Sequence, residues 1–264
     1  MTARQLVVAL QNALDGELSS NTVDAFQAGD PDAPVEGVAI TMMPTLDVLH
    51  QAIARGCNLV IGHEPLFYNH VEDTGALDAE GDEVLRRKRL FLEESGLVLW
   101  RFHDLPHLHR PDMILAGMVE ELGWRAFQSP DNDAVFALPG QTLGELARAV
   151  RECLGATTLR VVGDPQARVS GAAIAPGAPG FAAQRALLQR ADVDVLLLGE
   201  AFEWETPTYA FDAGQLGLGK SLVVIGHILS EQAGMRACAR WLQGVVRDVR
   251  VEWIPNGEPF WSPT

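Results

Sequence analysis

The sequence predicts an α/β protein made of two interacting α/β subdomains, with mixed, largely parallel sheets covered by helices. Helix and strand patterns alternate almost throughout the 264 residues, and 47% of the residues are hydrophobic. Strand segments such as "NLVIG" (58–62) and "VDVLLLG" (193–199) are apolar without interruption. Such strands are typical of sheets that are buried on both faces between layers of helices.

The elements of the N-terminal half follow from the spacing of apolar residues. Leu6, Leu10 and Leu14 repeat at helical spacing in the first segment, which predicts an amphipathic helix. "TLDVLHQAIARG" (45–56) has the same period and stops at Gly56, a residue suited to the end of a helix. Other elements predicted here are the strands 37–43, 58–62 and 96–102 and the helices at about 80–95 and at 112–123.

The C-terminal half continues the alternation. Residues 142–155 form a predicted helix, because Thr142 and Glu145 have the spacing of a capping box. The last main helix is predicted to begin near Ser230. The cluster "QSPDNDA" (128–134) is the best candidate for a joint between the two subdomains. The strands predicted in this half are 158–163, 169–175, 193–199 and 221–226.

Charge and composition exclude several classes of protein. The net charge of −15 and the pI near 4.8 argue against nucleic acid and anionic membranes as partners. No apolar run approaches the ~20 residues that cross a bilayer, and the first residues lack the features of a signal peptide. Three cysteines far apart fit a reducing compartment without disulfides. We therefore expect a soluble, cytoplasmic protein.

Three histidines directly follow apolar strand candidates, namely His63, His103 and His227. In open α/β sheets, ligands bind outside the carboxyl ends of the strands. Imidazole and carboxylate together suit divalent first-row metals, and carboxylates can bridge two ions. The joint placement therefore predicts a metal site. The side chains within four residues that could add ligands are Glu64, Asp104, His107 and Glu231.

Simpler interpretations stay open for each segment. "HE" at 63–64 is not a zincin motif, because position 67 is Phe and Pro65 does not fit a helix interior. His227 and Glu231 have the spacing of an ordinary helical surface pair. "RFHDLPHLHRPD" (101–112) can be a polar loop. His50, His70 and His109 are interpreted as structural or exposed.

Five segments, in order along the chain, carry a resemblance to a known family. They are "NLVIGHEPLF" (58–67), "RFHDLPH" (101–107), "RVVGDP…VSGAAIAPGAPG" (160–180), "VDVLLLGEAFEWE" (193–205) and "VVIGHILSE" (223–231). Together they resemble the Nif-three-like family of dinuclear-metal-centre proteins, also called GTP cyclohydrolase I type 2 homologues. The resemblance implies one Nif-three-like domain over 1–264 without the inserted domain of some members, with 221–264 contributing to the metal site.

The resemblance also implies the ligands of two divalent ions per subunit, with Fe, Mn or Zn as candidate metals. The family's second histidine is Glu64 here, and its later aspartate falls on His107. Asp104 is the competing candidate, and we expect it to orient a neighbouring imidazole. A family histidine falls on Trp204, so we expect the substrate side of the pocket to differ from that of the family. The implied ligands are His63, Glu64, His107, His227 and Glu231, with His103 and Glu231 expected in catalysis.

A metal-dependent hydrolase is the function that these features favour. The substrate would be a small molecule, with ring-opening hydrolysis of a purine nucleotide or cleavage of a phosphoester or amide as the possible reactions. The resemblance further implies a homo-oligomer, a hexamer built as a trimer of dimers. The alternative is a non-catalytic ring that binds metal or regulates a partner.

Overall fold

The computed structural model describes residues 1–263, and the chain folds as two compact units. Unit 1 contains Met1–Ile114 and Gly234–Asn256. Unit 2 contains Leu115–Ala233 and the segment that begins at Gly257. Each unit has its own mixed, mostly parallel sheet with helices, which confirms the predicted α/β class.

The helices begin and end where capping residues and glycines allow. Thr2 and Thr142 form capping boxes with Gln5 and Glu145, as the sequence predicts for the second of these. In chain order the helices are α1 (Ala3–Asn12), α2 (Leu46–Ala54), α3 (Gly75–Glu80), α4 (Glu83–Ser95), α5 (Asp104–Leu108), α6 (Met113–Glu121), α7 (Leu143–Leu154), α8 (Phe181–Leu188), α9 (Thr206–Gln215) and α10 (His227–Val245). A 3₁₀ turn spans Arg125–Phe127.

The strands are short, and the central ones are completely buried. In chain order they are β1 (Phe26–Ala28), β2 (Gly37–Thr41), β3 (Leu59–Gly62), β4 (Val98–Arg101), β5 (Val135–Thr142), β6 (Arg160–Val162), β7 (Arg168–Ala175), β8 (Val195–Leu198), β9 (Ser221–Val224) and β10 (Arg250–Trp253).

In unit 1 the strand order among the described residues is β1-β4-β3-β2-β10. β10, β2, β3 and β4 are parallel, and only β1 is antiparallel to its neighbour β4. One core cluster joins the sheet residues Val60 and Leu99 to Leu49 of α2 and Leu92 of α4. The sheet therefore places the ends of β3 and β4 next to each other.

In unit 2 the strand order of the described part is β5-β7-β8-β9-β6. The three middle strands are parallel, and β5 and β6 pair antiparallel at the edges. Core residues pack on both faces of this sheet, with Leu197 and Val223 in one cluster and Leu196 and Leu222 in another. The continuous apolar runs of the middle strands are explained by this burial on two faces.

Three local features differ from the sequence-based expectation. α10 begins at His227, three residues before the predicted start near Ser230. Part of the segment 101–112, for which a polar loop was the simpler interpretation, is the short helix α5. Residues 128–134 form a turn before β5 within unit 2, whereas the chain leaves unit 1 after Ile114.

Among the described residues, no helix combines the length and the apolar character that crossing a membrane requires.

Candidate metal centre

His63 lies at the carboxyl end of β3 and is completely buried. Its Nδ1 lies 2.9 Å from the carbonyl oxygen of Phe102, which follows the neighbouring strand β4. Because a carbonyl oxygen only accepts, Nδ1 must donate its proton there. The lone pair of this imidazole is therefore on Nε2, which is the arrangement of a metal-binding histidine.

His103 follows β4 and is held by the carboxylate of Asp104. The distance between His103 Nδ1 and Asp104 Oδ1 is 2.9 Å, and Asp104 Oδ2 accepts from Thr22 Oγ1 at 2.8 Å and from the Val23 amide at 3.2 Å. Partial burial alone would raise the pKa of Asp104, but these hydrogen bonds outweigh it and lower the pKa. Asp104 is therefore an ionised carboxylate that orients the His103 imidazole.

His107 is on α5, one turn after His103. Its Nδ1 lies 2.9 Å from Asp112 Oδ2, and the other oxygen of Asp112 accepts from the Ile114 amide at 2.8 Å. The carboxylate of Asp112 thus orients His107 as Asp104 orients His103. Sequence reasoning did not single out Asp112.

His63, His103 and His107 form a compact group, which we call the histidine cluster. One ring nitrogen from each lies within 4.8 Å of the others. The ring centroid of His63 is 4.6 Å from that of His103 and 5.2 Å from that of His107. The structure thus adds His103, expected as a catalytic residue, to the candidate ligands. In each of the three imidazoles Nδ1 has an oxygen partner and Nε2 has the lone pair.

Asp24 fixes the backbone of the histidine cluster. Its carboxylate is buried and accepts from three successive amides, those of His103 at 2.8 Å, Asp104 at 2.7 Å and Leu105 at 3.0 Å. Burial raises the pKa of Asp24 despite these hydrogen bonds. No sequence signal marks this residue, because it lies in a polar segment far along the chain from its partners.

Glu64 is buried beside the cluster, next to the guanidinium of Arg101. Its Oε1 is 3.9 Å from His103 Nε2, and its Oε2 is 3.6 Å from Arg101 Nη2. Arg101 is only 1% exposed, and its Nε donates to the His63 carbonyl at 3.1 Å. Burial lowers the pKa of Arg101 from its usual high value. Glu64 is therefore a buried acid facing both an arginine and an imidazole.

The loop after Glu64 is held by the buried Lys88 and the half-buried Glu72. Lys88 Nζ donates to the Leu66 carbonyl at 2.7 Å, and the Glu72 carboxylate accepts from the amides of Leu66 at 2.5 Å and Phe67 at 2.9 Å. Tyr68 and Glu72 have φ values of 68° and 57°, which residues other than glycine rarely adopt. Burial lowers the pKa of Lys88 to about 8, although the charge of Glu72 opposes the shift.

The Lys88 pKa predicts a pH-dependent stability. Between about pH 8 and pH 10.5 the unfolded chain holds a proton on Lys88 that the folded chain has released, so stability rises with pH in this window. We expect the free energy of unfolding of the parent to gain up to about 3 kcal/mol relative to Lys88→Met between these limits. Urea unfolding of both proteins at several pH values measures this difference, and a constant difference would contradict it.

His70 lies at the end of this loop, beside the cluster. Its ring centroid is 5.0 Å from that of His103, and Arg101 Nη2 lies 3.2 Å from its Nδ1. Burial, Arg101 and His103 lower the pKa of His70. Sequence reasoning classed His70 as structural or exposed. It is exposed, but its contact with His103 comes from the fold of the loop and has no signature in the sequence.

In unit 2, His227 and Glu231 lie one turn apart at the start of α10. The Nε2 of His227 is 3.2 Å from Glu231 Oε2, and its Nδ1 is 3.1 Å from Glu200 Oε1, just after β8. Glu231 is 3% exposed, unlike a surface pair. When the proton of a neutral ring is on Nδ1, toward Glu200, the Nε2 lone pair and the Glu231 carboxylate can bind one cation together.

Gly177 makes room for the Glu231 carboxylate. It has φ +63°, and a Cβ at this position would overlap Glu231 Oε1. Its amide donates to Ser230 Oγ at 3.0 Å, and its carbonyl accepts from the Glu200 amide at 2.9 Å. The "GAPG" segment (177–180), which ends one of the segments that carry the family resemblance, thus forms part of the surroundings of Glu231.

Gly177→Ala is expected to lower the free energy of unfolding by about 2–3 kcal/mol, from backbone strain plus overlap with Glu231. It should also weaken metal binding at His227 and Glu231. Gly155→Ala is the matched control, because Gly155 has the same φ and open space around its Cβ, and it should lose only about 1 kcal/mol. Equal losses in urea unfolding of the two variants would show that the Glu231 contact has no effect.

The segment that follows β8 presents charged and aromatic side chains at the surface. Glu203 is paired with Arg160 at 2.8 Å and its side chain is 79% exposed. Trp204 is 72% exposed and stacks on Phe202, with ring centroids 4.6 Å apart. The position where the family resemblance implies a histidine therefore presents an exposed aromatic surface.

Fold and site together define an α/β protein with a histidine-rich candidate metal centre at the carboxyl ends of parallel strands. The chain belongs to the Duf34/NIF3 (NGG1p interacting factor 3) family, whose model matches residues 1–89 and 121–258. This confirms the family that the sequence motifs indicate.

Curated relatives and solved structures agree with this assignment. A GTP cyclohydrolase 1 type 2 homolog of Clostridium acetobutylicum is 21% identical over 86% of this chain and 83% of the relative. One of Staphylococcus aureus is 29% identical over 42% of this chain and 30% of the relative. The fold is similar to those of the Staphylococcus aureus protein SA1388 (TM-score 0.77, 17% identity, 100% and 99% coverage) and a Bacillus cereus protein related to NIF3 (TM-score 0.77, 14% identity, 100% and 99% coverage).

Proposed function

We propose that this protein is a divalent-metal-dependent hydrolase. The observation that carries the proposal is the shared orientation of the histidine cluster, in which all three Nδ1 atoms face oxygens, an arrangement that leaves the lone pair of each neutral ring on Nε2. Fixed imidazoles of this kind, with ring nitrogens within 4.8 Å, fit a divalent first-row ion. The names of the curated relatives make a purine nucleotide such as GTP the first substrate to test.

In this proposal His63, His103 and His107 hold an ion, and Glu64 adds an anionic oxygen. A bound divalent ion would acidify water and polarise a phosphoryl or carbonyl oxygen. Asp104 and Asp112 keep His103 and His107 in the binding tautomer, so we assign coordination to His107 and orientation to Asp104. Glu64 biases the site toward oxygen-preferring metals such as Mn or Fe over Zn.

We further propose that His227 and Glu231 bind the second ion of a dinuclear centre. Support comes from the 3.2 Å distance between His227 Nε2 and Glu231 Oε2, and from Glu200, which orients the imidazole through Nδ1. Glu231, a buried carboxyl group, is also our candidate to accept a proton from the attacking water. That the ligands of both units serve one centre stays a prediction, which metal stoichiometry in His63 and His227 variants tests.

The test is turnover by metal-loaded and chelated protein. Elemental analysis of protein purified without added metal first identifies the ion. Hydrolysis of p-nitrophenyl phosphate, bis-p-nitrophenyl phosphate and GTP is then followed with Mn, Fe or Zn restored. We expect turnover that disappears on chelation and returns with metal. Metal binding without turnover of any substrate would instead favour the alternative, a non-catalytic metal-binding protein that regulates a partner.

We also propose a homo-oligomer, and specifically a hexamer. Unit 2 exposes large apolar side chains, including Phe202, Trp204, Phe211 and Leu216, each at least 58% exposed. Exposed apolar patches are typical of surfaces that another protein covers. Light scattering should give a mass near six times 28.6 kDa. A monomer at micromolar concentration would contradict this expectation.

A further inference from the structure

His70 differs from the three imidazoles of the histidine cluster in the position of its proton. Arg101 Nη2 lies 3.2 Å from His70 Nδ1, and a guanidinium can only donate. Nδ1 of His70 therefore accepts, and the proton of the neutral ring is on Nε2. In His63, His103 and His107 the proton is on Nδ1. Beside three nitrogen lone pairs, the protein thus places one N–H donor.

Holding the ring in this way is not needed to satisfy Arg101. The guanidinium already donates to the backbone carbonyls of His63 and His70, and it faces Glu64. Any residue at position 70 would supply the carbonyl. The contact with the ring nitrogen is additional, and its chemical effect is to fix which nitrogen of His70 donates.

The loop that carries His70 also contains features that cost folding free energy. Tyr68 and Glu72 flank it with positive φ values, and Lys88 and Arg101 are buried to bind its carbonyls. Strained backbone of this kind concentrates at functional sites, where the surrounding structure holds it. Here it delivers an exposed imidazole whose ring centroid is 5.0 Å from that of His103.

We propose that His70 is a substrate-binding residue of the metal centre, whose Nε2–H donates a hydrogen bond to an anionic oxygen of the substrate, such as a phosphoryl oxygen. This inference rests on the proposed hydrolase. His70 stays outside the metal coordination, because its lone pair is used by Arg101. In this arrangement the bound metal cations attract the anionic substrate, and the neutral N–H donor of His70 orients it.

The experiment measures binding of inorganic phosphate to metal-loaded protein by calorimetry, with metal content determined in parallel. His70→Ala should weaken phosphate binding on the order of tenfold or more, the effect of losing a hydrogen bond to a charged group. His70→Gln, whose amide can place a donor near the Nε2 position, should restore most of the affinity. Both variants should keep the metal content of the parent. His50→Ala is the matched control, because His50 lies on α2 against Phe91.

Turnover of the substrate found for the parent gives a second measurement. His70→Ala should reduce kcat by about 10²-fold, as the loss of one donor to a developing oxyanion does, and His70→Gln should recover part of it. The inference is overturned if His70→Ala binds phosphate as the parent does, if metal is lost with the imidazole, or if the metal-loaded parent does not bind phosphate. If the parent binds phosphate through His70 but turns over no substrate, the proposed hydrolase activity is wrong and the role of His70 in anion binding stands.

Discussion

His63→Asn is expected to abolish high-affinity metal binding while the protein stays folded. The asparagine amide can take over the hydrogen bond that His63 Nδ1 donates to the Phe102 carbonyl at 2.9 Å. It has no atom at the position of Nε2, so the metal-binding nitrogen is lost. Because even the outer partners of metal ligands are worth roughly 10–100-fold in affinity, loss of a ligand should cost at least about 10²-fold. Metal titration by calorimetry and elemental analysis measure this loss, and turnover should fall to that of chelated protein.

His50→Asn is the control for this substitution, since it makes the same change on α2. It should keep the metal content and the melting temperature of the parent. A His63→Asn protein with parental metal content would show that His63 is only a buried, hydrogen-bonded histidine. A variant that is unfolded by circular dichroism would call for His63→Gln as the second test.

Arg101→Met is expected to produce the largest loss of stability, about 3–5 kcal/mol in the free energy of unfolding. The guanidinium is 1% exposed and binds the carbonyls of His63 and His70 beside the Glu64 carboxylate. Removing one partner of a buried ion pair leaves the other charge and its hydrogen-bonding groups in a poorly hydrated environment. Urea unfolding with a fixed m-value measures the change.

Arg87→Met is the matched control for this loss. Arg87 is paired with Glu83 on α4, but its side chain is 74% exposed, and exposed pairs contribute little to stability. Its substitution should change the unfolding free energy by less than about 0.5 kcal/mol. An Arg101→Met protein as stable as the Arg87 variant would show that the buried guanidinium does not hold the loop.

Periodicity and strand-end placement were enough to predict the α/β class and to bring His63, His103 and His107 into one candidate site. Apolar runs show which strands are buried on both faces, and parallel strands present their carboxyl ends at the same edge. This reasoning needs only local sequence. It also selected His227 and Glu231 as candidate ligands, which stays a prediction. It placed the start of α10 three residues late, because Gly226 and His227 resemble the end of a strand.

The residues that position the ligands could not be predicted in the same way. Asp24, Arg101 and His70 reach the site through contacts between segments that are distant in the sequence, such as Asp24 with the amides of α5. Arg101 lies within a buried strand, where a charge is expected only if its partners are known. The spacing of residues in a single sequence does not predict such long-range contacts. The turn at 128–134 likewise has the composition of a linker, but it lies within unit 2.

The discontinuity of unit 1 has a consequence for biosynthesis. Its sheet is completed by β10, which pairs with β2, and Asn256 accepts hydrogen bonds from Thr41 and the Met43 amide. On the ribosome, β2 emerges more than two hundred residues before these partners, and its apolar edge has no neighbour on that side until β10 has been synthesised. Open apolar edges recruit other strands. The nascent chain is therefore exposed to misassembly from the emergence of β2 until β10 emerges and covers this edge.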